Sequence, residues 1–63
     1  MLTVNEVINT LKENDKVVIT YANEELFEGY VDSISESHLT IHEYVSNMYR
    51  TFNRQQILEI ESI

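Results

Sequence analysis

The chain has no cysteine, no proline and only one glycine among its 63 residues. Without cysteine there is no disulfide framework, and every thiolate metal site is excluded. No glycine-rich phosphate loop, Gly-x-Ser-x-Gly elbow or convergent set of histidine and carboxylates is present, so catalysis has no recognisable machinery. Apolar runs fall short of the ~20 residues that span a bilayer, and the start, MLTVNEVINTLKEND, lacks a basic segment leading into an apolar one. A cytoplasmic location with no membrane contact is expected. Basic residues are scarce too. Lys12, Lys16, Arg50 and Arg54 stand against eleven acids, for a formal net charge of -7. Nucleic-acid binders draw most of their affinity from phosphate neutralisation by Lys and Arg, so this balance disfavours RNA or DNA on a single copy. It suits a solubilising surface or a basic partner.

What the chain does contain points to a folded core. Hydrophobic residues make up 43%, too many for a disordered segment, which lacks the apolar area to offset chain entropy. A domain of this length buries roughly 60% of the surface its unfolded chain exposes. Such small folds are usually reinforced by disulfides, metals or oligomerisation, and with cysteine absent, oligomerisation is the expected route.

Thr3-Val4-Asn5-Glu6 fits a capping box, with Leu2 and Val7 placed as a hydrophobic staple. Val4, Val7, Ile8 and Leu11 recur at helical spacing, which predicts a helix over about 3–14, stopped at Asn14-Asp15. From Lys16 the period becomes two. Strands are expected over about 16–22, 26–34, 38–45, 48–53 and 57–61, separated by Asn23-Glu24-Glu25, Ser35-Glu36-Ser37, Ser46-Asn47 and a tight turn at Asn53-Arg54-Gln55-Gln56. Strands at this spacing argue for a small closed or nearly closed barrel with Val17, Ile19, Phe27, Val31, Leu39, Ile41 and Ile60 inside. Gly29, alone in the middle of the longest strand, is expected to bend the sheet. No linker, repeat or low-complexity run divides the chain, so a single domain over 1–63 is expected.

The order of a helix and five bent strands, with Asn23 … Leu26-x-x-Gly29-x-Val31-x-x-Ile34 … Leu39-x-Ile41 … Ile57-x-x-Ile60, resembles the Sm-like (LSm/Hfq-like) family; the same pattern is similar to YolD-like domains and other SH3-like barrels. The resemblance implies a mainly β fold, a five-stranded antiparallel barrel with one N-terminal helix. It further implies rings built by pairing the fourth strand of one subunit with the fifth of the next. The family's RNA contacts lie in the loop after the second strand and in the loop before the last. Here those loops read Ser35-Glu36-Ser37-His38 and Phe52-Asn53-Arg54-Gln55-Gln56, and only Asn53 and Arg54 fall near usable positions.

Candidate contact residues are therefore Tyr30, Tyr44, Tyr49, Arg50, Asn53 and Arg54. Strand tyrosines mostly shield cross-strand contacts, but exposed ones stack on bases or anchor proteins. Arg50 and Arg54 are expected to pair with carboxylates such as Glu59 and Glu61, or to line a ring pore. His38 and His42 sit on one strand face about 13 Å apart, too far to share one metal ion. A barrel of this size is expected to offer no pocket of ~300 Å³, hence no small-molecule substrate and no cofactor. The expected function is a non-enzymatic interaction module that self-associates or docks on a protein partner. The alternatives are an Sm-like RNA-binding ring and an acidic mimic that occupies a basic nucleic-acid-binding protein.

Overall fold

A computed structural model describes residues 2–63. The capping box forms as read. Thr3 Oγ1 accepts from the Glu6 N–H (3.2 Å) and Glu6 Oε1 accepts from the Thr3 N–H (3.1 Å), starting helix α1 at Val4–Thr10. The helix is shorter than the 3–14 expected, because Leu11 is already extended (φ -76°, ψ 150°) and its N–H bonds back to Ile8. Asn14 does adopt the left-handed conformation (φ 74°), but in the turn beyond the helix, where Asp15 folds back on Lys12 through backbone and side chain.

Strands β1 (Lys16–Tyr21), β2 (Leu26–Ile34), β3 (His38–His42), β4 (Tyr49–Asn53) and β5 (Ile57–Ser62) follow. They form one antiparallel sheet in the order β4-β3-β2-β1-β5. Mainly β with one N-terminal helix is therefore correct, but the sheet is open, not closed, and β4 and β5 are its two edges. β3 ends at His42, short of the 45 expected, with the Glu43 N–H to Met48 C=O bond (2.8 Å) closing the ladder, and the expected tight turn before β5 is a 3₁₀ helix, Arg54–Gln56. Glu24 (φ 65°) and Asn47 (φ 60°) carry the left-handed turns after β1 and β3.

The core follows the period-two reading. Val17, Ile19, Val31, Leu39 and Ile41 are fully or almost fully buried, with Ile60 beside them and Phe27 half-buried. Ile8, Leu11, Phe52 and Ile57 complete it. Helix α1 lies on β5 and supplies Ile8, the apolar stripe docking as its spacing requires. On the far side Tyr21 meets the Phe52 ring edge-on at 4.9 Å, and its hydroxyl accepts from the Asn53 N–H (3.1 Å). Tyr21 thus links β1 to β4 across the open side of the sheet.

The register of β2 against β3 slips between Val31 and Ser33, so the irregularity lies at Asp32 and not at Gly29. Gly29 has a different task. A Cβ there would stand 2.5 Å from the His42 carbonyl oxygen and 3.1 Å from Glu43 Cα, so the sheet curls until the end of β3 rests on the glycine. Close backbone approach is the reason for the missing side chain.

Candidate functional site

Three of the six candidate residues converge on the outer face. The registers Lys16↔Tyr30, Tyr30↔His42 and His42↔Tyr49 set four outward side chains in one row across β1 to β4. His42 lies flat on Tyr49, with ring centroids 4.4 Å apart and planes 7° from parallel. Tyr44, just beyond β3, brings its ring to 5.5 Å from that of Tyr30, with the Lys16 ammonium 5.0 Å from its centre. Its phenol donates to the Glu28 carboxylate. That bond to an anion, with slight desolvation and the charge of Glu28, holds the Tyr44 phenol above its usual pKa of 10.0. Tyr30, Tyr44 and Tyr49 keep 40%, 39% and 62% of their surface in solvent, so the shelf is accessible.

Arg50 is on the other face of β4, opposite the buried Ile41, and is already engaged. It pairs with Glu43 and lies over the Phe27 ring, 5.2 Å from its centre. Expected partners Glu59 and Glu61 are on β5, at the other edge of the sheet, which is why neither pairs with it.

Asn53 and Arg54 are brought together elsewhere, in a cleft of ≈ 450 Å³ with Asn5, Glu36, Ser37 and Gln55. The Asn53 side chain caps the 3₁₀ helix by accepting from the Gln55 N–H (3.0 Å). Arg54 points inward. It donates to Asn5 Oδ1 (3.0 Å), Asn9 Oδ1 (3.3 Å) and the Ser35 carbonyl (2.9 Å), all neutral acceptors. The guanidinium thereby ties α1 to the β2–β3 turn. Asn5 and Asn9, four apart on one helix face, carry a signal for this contact, but only the docking direction of α1 reveals which arginine uses it.

A second cleft of ≈ 390 Å³ runs between α1 and β5, lined by Leu2, Val4, Val7, Leu58 and Ile60 with Glu59 and Glu61. Both exceed the ~300 Å³ not expected of so small a domain. They exist because the sheet is open and the helix stands against one edge.

The edges can be described group by group. The Ile63 N–H donates to Lys16 C=O (2.9 Å), fixing the phase of the β1–β5 ladder. Ile60 and Ser62 therefore turn their backbone groups to the open side. On β4, the bonds Arg54 N–H to Ser37 C=O and Glu43 N–H to Met48 C=O set the same alternation, which turns Tyr49 and Thr51 outward with no backbone partner among the described residues. Val45, Met48, Leu58 and Ile63 are exposed apolar residues near these edges.

His38 and His42 each bond a neighbour, Ser37 and Asn47 respectively, both at 2.7 Å. No group of three or more metal-ligating side chains occurs among the described residues, and none of their helices is long and apolar enough to cross a membrane. Compared with protein-family models, curated proteins and solved structures, the chain gives no significant match.

Proposed function

We propose that the chain is a non-enzymatic, cytoplasmic interaction module that associates with further copies of itself through the two open edges of its sheet. One observation carries this reading: β4 and β5 both end the sheet with backbone groups that have no partner among the described residues, at Tyr49 and Thr51 and at Ile60 and Ser62. Exposed edges of this kind are templates for strand addition unless blunted by proline or inward-pointing charge. Here there is no proline. Two different edges on one molecule make a head-to-tail contact, which closes into a ring when the rotation permits. The Sm-like resemblance supports the same assembly, since it implies pairing of the fourth strand of one subunit with the fifth of the next, and β4 and β5 are the two edge strands here. Association also supplies the stability that so short a chain has little means of supplying alone. Size-exclusion chromatography with light scattering tests the proposal. The expected mass is a multiple of 7.4 kDa; a monomer at tens of micromolar removes it.

A second reading, an Sm-like RNA-binding ring, is favoured by the cleft that gathers Asn53, Arg54 and Gln55 with Ser37. In a ring such clefts repeat and the cations of several copies add. Steep salt dependence of binding would then follow. Retardation of a single-stranded RNA at low salt would support it, and its absence removes the reading.

A further inference from the structure

We infer that the outer aromatic shelf of Tyr44, Tyr30, His42 and Tyr49 is a docking surface for an extended basic peptide, taking up Arg or Lys side chains. The inference does not rest on self-association, because a single copy presents the whole shelf.

Aromatic faces attract cations when a guanidinium or ammonium comes within about 6 Å of the ring centre. The protein already contains the interaction internally, with Lys16 placed over Tyr44. What surrounds the shelf decides between cationic and anionic partners. Glu28 and Glu61 flank Val18 in the adjoining cross-strand row, through the registers Val18↔Glu28 and Val18↔Glu61. The one ion pair among the described residues is Arg50–Glu43, so Glu28 and Glu61 border the shelf without a cation of their own in ion-pair contact. A nucleic acid stacked here would set its phosphates against these carboxylates in a chain of net charge -7. A basic peptide would set its charges where both the rings and the carboxylates stabilise them. The row spans four strands at about 4.8 Å each, roughly 14 Å, and so matches four or five residues of extended chain.

The test uses the unmodified protein and a labelled eight-residue peptide alternating Arg and Ser, at about 0.15 M salt. The same peptide with Glu for Arg and a single-stranded RNA of eight nucleotides serve as comparisons. Binding is expected for the Arg peptide alone, with the ring resonances of Tyr30, His42, Tyr44 and Tyr49 shifting as it is added. Tyr49→Leu and Tyr30→Leu should each weaken it roughly 3- to 30-fold, the range for an exposed to a partly desolvated cation–aromatic contact. The ring-resonance readout needs no variant, so a misfolded substitution leaves the inference testable. No binding of the Arg peptide, binding without movement of those rings, or tighter binding of the RNA would each overturn it.

Discussion

Replacing Gly29 with alanine adds one methyl group where the end of β3 rests on β2. The new carbon would meet the His42 carbonyl oxygen at 2.5 Å, its carbon at 2.9 Å and Glu43 Cα at 3.1 Å. Carbon atoms pack best at about 3.5–4.0 Å, so the end of β3 must move. All three atoms are backbone, which no rotamer change relieves. Overpacking of this kind costs typically ~1–3 kcal/mol, while alanine restricts the unfolded chain and returns ~0.4–1 kcal/mol. A net loss of about 1–2 kcal/mol is expected. The 63 residues hold ~3–9 kcal/mol in all, at about 0.05–0.15 kcal/mol each. The variant should therefore melt roughly 5–15 °C lower, at about 4–8 °C per kcal/mol for a domain this small. Urea unfolding should show a lower midpoint with an unchanged slope. A variant as stable as the parent, or more stable, would refute the reasoning, since only the unfolded-state term would then be acting.

Three further outcomes follow from named contacts. Arg54→Met removes the tie from α1 to the β2–β3 turn and should cost ~1.5 kcal/mol, the low end for bonds to a charged group because the side chain is only half-buried; unchanged urea unfolding would contradict it. Thr3→Ala removes the cap of a seven-residue helix and should cost about 1 kcal/mol, measured the same way, with Thr3→Ser restoring the parent midpoint. The Tyr44 phenol is held above its usual value chiefly by its bond to Glu28, so the bond's contribution to stability is fully present below about pH 10 and is lost as pH rises through the elevated folded value. Glu28→Gln should bring the Tyr44 ring titration, followed by NMR, to lower pH; an unmoved titration would show that Glu28 is not the cause.

The strands were legible because β-branched and aromatic residues alternate cleanly: Val17 and Ile19, then Leu39 and Ile41, point inward as the pattern requires. The capping box placed the start of α1, but not its end. There Leu11 is apolar, continues the stripe and is buried, yet its backbone is already extended, so the apolar pattern outlasts the helix. Gly29 reads as a bend, and the close backbone approach it permits was not legible, since only the path of β3 shows what lies above it. The aromatic shelf was half visible. Tyr30, Tyr44 and Tyr49 stood out by residue type, but their adjacency depends on strand register, and His42 joined them only when Tyr49 proved to be its partner. Arginine partners were the least legible, because Glu43 for Arg50 and Asn5 and Asn9 for Arg54 follow from how the turns and helix settle on the sheet.

Self-association through open edges is tested most directly by amide hydrogen exchange, read residue by residue across a dilution series. If β4 and β5 are paired between copies, the Tyr49, Thr51, Ile60 and Ser62 amides are protected at high concentration and lose that protection on dilution. Arg50 and Phe52, bonded within the chain, stay protected throughout. Exchange at the rate of unpaired amides at Thr51 and Ile60 at every concentration, beside a protected Phe52, would contradict the account.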